Sequence, residues 1–130
     1  MKALTVIQPY AELIARGVKP IENRRWPTAY RGPLAIHAGK NRSWLDEGDA
    51  LACPQMAFGA FVALATLVDC VKLDDLPTDL TGHAHAEGPY CWILQNVRRI
   101  VPIPYRGAQG LWVPDADTLE ILRVVSNKKE

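Results

Sequence analysis

Seven polar side chains fall close together near the start of this 130-residue chain: Gln8, Lys19, Glu22, Arg24, Thr28, Arg31 and His37. Lys19 follows Gly17 and is flanked by Val18 and Pro20. If those apolar neighbours strip water from its amine, it becomes a candidate base or nucleophile. Left solvated, it is a cation complementing the end of a helix. Glu22 and Arg24 are two residues apart, so on a strand they share a face. They can form a purely structural ion pair, orient Arg24 toward a phosphate, or leave Glu22 as an acid/base beside Lys19. Strict alternation puts Lys19 on the face opposite Glu22, and the two meet only if Pro20 distorts the start of the strand. Thr28 and Arg31 flank a turn, where a hydroxyl and a guanidinium can bind an anion or Arg31 can simply face solvent. His37 reads as a hydrogen-bonded core or cleft histidine. Tyr10, Trp26, Tyr30 and Trp112 could stack on bases beside these cations or belong to the core, and Tyr10 and Trp26 are the preferred cleft aromatics. Trp92, within a strand, is expected in the core. His83 and His85 have no obvious third ligand, and no metal site is expected from them.

The elements that must carry these groups are legible in outline. Residues 3–7 read as a buried strand. Pro9 suits the first helical position, Tyr10, Leu13 and Ile14 form a helical stripe, and Gly17 stops the helix. Residues 19–24 leave it as a short, mixed-charge extended run. Arg31-Gly32-Pro33 is a turn, and residues 34–38 alternate, with Leu34, Ile36 and Ala38 opposite Ala35 and His37. Ser43 and Asp46 suggest a capping box for a helix over residues 44–51. Residues 57–73 give the longest strand signal, a central strand buried on both sides, which Gly59 could let bend. Residues 77–89 read as a loop. Residues 90–95 and 100–105 read as two strands around 96–99, the second confined by Pro102 and Pro104 to an edge or a bulge. Asp115 or Asp117 could cap a last helix to Val125. Short strands without regular strand–helix alternation argue for a barrel-like α+β domain, with a doubly wound α/β sheet as the alternative.

The order of Gln8-Pro9-Tyr10, Gly17-x-Lys19-x-x-Glu22-x-Arg24, Trp26-x-Thr28, Arg31-Gly32-Pro33 and Ile36-His37-Ala38 resembles the ASCH domain. So do Gly88-Pro89-Tyr90-Cys91-Trp92-Ile93-Leu94, Pro102-Ile103-Pro104 and residues 107–112. The likeness spans nearly the whole chain. It implies a small PUA-like β-barrel with short flanking helices and a cleft beside the Lys19–Glu22–Arg24 run. Most members are inferred to bind RNA, and some relatives act on RNA or on acylated nucleosides. The family's usual Trp is Tyr10 here, which keeps the aromatic face. The acyl-cleaving relatives have Thr where this chain has Glu22.

Length makes this one domain, residues 1–125, with a frayed tail at 126–130. The longest apolar run, residues 57–68, is too short and too interrupted for a membrane span. The start lacks the pattern of a signal peptide. Cys53, Cys70 and Cys91 are odd in number and widely spaced, as in reduced thiols of a cytosolic protein. Net charge is +1, but residues 1–42 hold 8 Lys/Arg against 2 Asp/Glu, while residues 43–97 hold 1 against 8. Such asymmetry gives an oriented field unless folding interleaves the signs. No phosphate-loop, GxSxG, HExxH or paired CxxC motif is present, and no cofactor is expected.

Three readings follow. In the first, the cleft binds RNA or a nucleotide-like small molecule: Lys19, Arg24 and Arg31 on phosphate or a base edge, Gln8 and Glu22 on a base edge, Tyr10 or Trp26 stacking. In the second, a small hydrolase uses the same cleft, with Lys19 as activator and Glu22 as acid/base. In the third, the domain is an interaction module with a vestigial cleft.

Overall fold

The computed structural model describes residues 1–46, 48–49 and 53–128. Its six strands are β1 (Lys2–Val6), β2 (Ile21–Arg24), β3 (Gly32–Ala38), β4 (Ala60–Lys72), β5 (Tyr90–Pro104) and β6 (Leu111–Trp112). They form one curled sheet in the order β2-β5-β4-β3-β1-β6. The β1–β3 pair is parallel and every other pair antiparallel. Among the described residues, helices α1 (Tyr10–Ala15) and α2 (Ala116–Asn127) flank it. This is the α+β, PUA-like half-barrel that the motifs imply, not a doubly wound sheet.

Strand alternation explains the two cores. Leu4 and Val6 of β1, with Leu34, Ile36 and Ala38 of β3, face Ala11 and Ile14 of α1. Ala3 and Ala35 point the other way, where Phe61, Leu64 and Ile100 meet Leu122 of α2. Each helix thus covers one face. Fully burying a side chain of Leu122's size contributes roughly 1.5–3 kcal/mol.

Helix α1 stops where expected. Gly17 takes φ 77°, its N–H reaches the Ile14 carbonyl at 2.9 Å, and the Val18 N–H reaches that of Leu13 at 3.0 Å. Those two bonds satisfy the last carbonyls, and the left-handed residue turns the chain toward β2. Pro9 stands one position ahead of the helix, as its cap residue.

The capping box is shifted by three residues. Asp46 and Asp49 each accept the other's backbone N–H, at 2.8 and 3.0 Å, while Ser43 and Trp44 lie in a turn. The expected helix over 44–51 therefore does not start at Trp44, and its residues 47, 50 and 51 lie outside the described residues. Residues 90–104 form one strand, not two. Asn96 takes φ 53°, which Asn tolerates, and the register shifts along β4–β5 absorb the irregularity as bulges. Pro102 and Pro104 are accommodated because β2 pairs only with residues 90–93 of β5, leaving the strand's later half an edge. Asp115 caps α2 by accepting the Thr118 N–H at 2.8 Å, and the helix runs two residues past Val125.

Candidate functional site

Lys19, Glu22 and Arg24 converge. The strand begins only at Ile21, so Lys19 precedes it and escapes the alternation that would have sent it to the opposite face. Its Nζ lies 3.3 Å from Glu22 Oε1 and also donates to the Ile21 carbonyl. Pro20 fastens the turn by accepting the Leu94 N–H at 2.9 Å. Arg24 Nη2 lies 2.9 Å from Glu22 Oε2 and 2.9 Å from the Thr5 carbonyl, tying β2 to β1 across the curl of the sheet. Glu22 therefore holds a cation on each carboxylate oxygen.

This network borders a cavity of about 520 Å³ lined by Thr5, Glu22, Arg24, Gly39, Lys40 and Asn41, among others. Arg24 Nε in its wall is buried and has no hydrogen-bond partner among the described residues. A buried N–H of that kind costs free energy until something accepts from it. Lys40 reaches the site across Gly59. A Cβ there would come within 2.8 Å of Lys40 Cε, and φ is +64°, so glycine both takes the backbone turn and leaves room for the lysine stem.

The other expected site residues sort clearly. Lys19 is 3 % exposed, so it braces Glu22 from behind and is not a surface cation. The Tyr10 ring lies 5.7 Å from its Nζ and packs edge-on to Trp44. Gln8 is fully buried, donating to the Ala57 carbonyl at 2.8 Å and accepting the Glu12 N–H at 2.9 Å, so its amide is a fastener between α1 and residue 57. Thr28 and Arg31 do not line the cavity. Arg31 folds back on the Thr28 and Tyr30 carbonyls and lies 3.3 Å from Asp69. His37 is a core residue: Nε2 donates to the Tyr105 carbonyl at 2.6 Å, and Nδ1 lies 3.2 Å from the Thr5 hydroxyl. Burial pushes its imidazole pKa down, against a smaller upward pull from Tyr105. Trp112 joins the same aromatic cluster with Phe61 and Tyr105, and Trp92 is fully buried. Trp26 is 47 % exposed, and its carbonyl accepts from Trp92 Nε1.

Sequence reasoning passed over Asn23, which lies between Glu22 and Arg24. Its amide donates to the His85 carbonyl at 2.9 Å and accepts the N–H groups of Glu87 and Gly88 at 2.9 and 2.8 Å. It thereby pins the acidic loop between β4 and β5 beside the network. Burial, then the charge of Lys19, lowers the His85 pKa. Thr5, Lys40 and Asn41 were also missed, although a Lys-Asn-Arg run directly after a strand was a visible signal. Among the described residues no cluster of three or more His, Cys, Asp or Glu could hold a metal ion.

Comparison with known proteins places this chain in a family. The profile of the ASCH domain matches residues 4–104. The chain belongs to the ASCH domain family. This ASCH domain is 25 % identical over 128 residues to activating signal cointegrator 1 of Homo sapiens, and equally to that of Mus musculus, covering 87 % of the chain. It spans only 22 % of the length of those relatives. The crystal structure of the ASCH protein of Zymomonas mobilis superposes with a TM-score of 0.58 at 15 % identity, covering 95 % of this chain and 94 % of that one. A point variant of the same protein gives 0.61 at 16 %, covering 95 % and 96 %. At such identity the likeness speaks for the ASCH fold alone. No helix among the described residues is long and apolar enough to cross a membrane.

Proposed function

We propose that this ASCH domain binds single-stranded RNA or a nucleotide-like ligand in the cleft between β1, β2 and the segment after β3. The observation that carries the reading is the buried Nε–H of Arg24, without a hydrogen-bond partner among the described residues, in the wall of a cavity of about 520 Å³ that also presents Lys40. A phosphate oxygen would accept from Arg24 and be neutralised by Lys40. Asn41 and the Glu22 carboxylate offer an amide and an acceptor for a base edge, and Trp26, two residues beyond Arg24, offers an exposed ring for stacking. Lys19 and Gln8 support the walls. Titration of labelled single-stranded RNA into the wild type and Lys40→Ala tests this: affinity drops in the variant, and equal affinity would speak against the cleft.

A second reading, a hydrolase of the same cleft, draws on one specific contact. Lys19 and Glu22 meet at 3.3 Å, which gives a carboxylate at the cavity wall a cation directly behind it. General acid/base catalysis needs a proton-transfer group at the scissile bond, and Glu22 is the group in place. Incubation with acylated cytidine and with single-stranded RNA decides between the two. The binder turns over neither, whereas a hydrolase turns over one of them and loses that turnover in Glu22→Gln.

A further inference from the structure

We propose that the cleft is one end of a continuous track for a longer single-stranded RNA, running from Arg24 and Lys40 past Arg42 and Arg99 to the C-terminal end of α2. The proposal rests on the nucleic-acid reading above and extends it from a single nucleotide site to a polymer path.

Four hollows adjoin along this line. The cleft ends at Lys40 and Asn41, and the next residue, Arg42, lines a hollow of about 270 Å³ with Cys53 and Phe58. Cys53 also lines the next, of about 400 Å³, with Arg16 and Arg99. Arg99 and Pro102 in turn line a fourth, of about 420 Å³, which reaches Lys128. Shared or consecutive residues therefore join each hollow to its neighbour.

Among the described residues that line the four hollows, Lys and Arg outnumber Asp and Glu. Glu12 is 4 % exposed and lies beneath both Arg16, at 2.9 Å, and Arg99, which grips it with both terminal nitrogens, so one carboxylate faces two guanidinium groups. Glu22 is likewise shared by two cations. Asp46 and Asp49 are turned to each other's backbone N–H. Glu87 belongs to the segment that Asn23 fastens beside the cleft, so a polyanion entering there is repelled on that side and drawn toward Arg42.

The path also offers surfaces for bases. The Arg42 guanidinium lies 3.7 Å from the centre of the Phe58 ring, a flat platform that accepts a base of any identity. Pro102 and the 85 %-exposed Val101 line the far end. That end is an unpaired sheet edge, but the two prolines remove N–H groups that an added protein strand would need.

Cys53, near the middle of the track, is a native reporter, and Cys70, which lines none of the four hollows, is its internal control. Binding of a uridine dinucleotide and a uridine decamer is measured first, and alkylation of Cys53 and Cys70 by iodoacetamide is then followed by mass spectrometry with each bound. The track predicts that the decamer binds about tenfold or more tighter than the dinucleotide, through added phosphate contacts. The decamer slows Cys53 alkylation several-fold, the dinucleotide does not, and Cys70 is unchanged. Arg42→Ala lowers decamer affinity much more than dinucleotide affinity. Equal affinity for the two oligonucleotides, or unaltered Cys53 alkylation under saturating decamer, overturns the track while leaving the cleft standing. Failure of both to bind removes the cleft and the track together.

Discussion

The ammonium of Lys19 lies 3.3 Å from the Glu22 carboxylate although the two sit an odd number of residues apart in an extended run. The reason is that Lys19 is not part of the strand: its Nζ turns back to the Ile21 carbonyl and Pro20 makes the bend. Both charges are nearly out of water, and removing one leaves the other incompletely paired. Lys19→Met should therefore destabilise the domain by about 2 kcal/mol in chemical denaturation. Adding Glu22→Gln to that variant should recover part of the loss, and an additive double variant would show that the pair is uncoupled.

The exposed indole of Trp26 should be separable from the fold. Trp26→Ala is expected to keep the melting temperature of the wild type while weakening single-strand affinity by roughly 1–3 kcal/mol. A variant that melts early would place the ring in the core after all.

Arg99 and Glu12 should respond unequally to substitution. Burial alone would raise the Glu12 pKa, but hydrogen bonds from Arg99 and Arg16, with their charges, hold it below its ordinary value. Arg99→Met leaves a buried carboxylate with a weaker partner set, whereas Glu12→Gln leaves two guanidinium groups that can reach water. The first should cost about 1–3 kcal/mol and more than the second. A carboxyl with a depressed folded pKa contributes stability above its unfolded value and loses it as pH falls through the folded one. Glu12→Gln should accordingly flatten the acid side of the stability–pH curve.

His37 sets a second pH dependence. Its folded pKa is lowered, so the unfolded chain binds the proton first as pH falls. Its contribution is full above the unfolded value, about 6.5, and declines below it. Thermal midpoints should rise with pH through that region, and His37→Asn should reduce the slope. His85, also lowered, is controlled for with His85→Ala.

Much of the fold was readable because it rests on local rules. Gly17, the alternation of residues 34–38 and the Asp115 cap each act within a few residues. Asn96 was misread as a break because a single left-handed residue looks the same in sequence whether it ends a strand or bulges it. The two-residue strand β6 is too short to leave a pattern. At the site, the Glu22–Arg24 pair followed from spacing, but the Lys19–Glu22 contact depends on a bend, and the placement of Lys40, Thr5 and Asn23 depends on which strands become neighbours. Arg31 and Thr28 looked equivalent to Arg24 in sequence, but Arg31 folds back on the Thr28 and Tyr30 carbonyls beside Asp69 and neither residue lines the cavity.

The central claim is that Arg24 meets phosphate, and the salt dependence of single-strand RNA affinity tests it most directly. Affinity of the wild type should fall linearly with salt on logarithmic axes, and Arg24→Ala should bind more weakly with a slope shallower by about 0.7, the loss of one phosphate contact on a single strand. Arg31→Ala, away from the cavity, should match the wild type in both affinity and slope. Salt-independent binding, or an Arg24→Ala variant indistinguishable from wild type, would contradict the account.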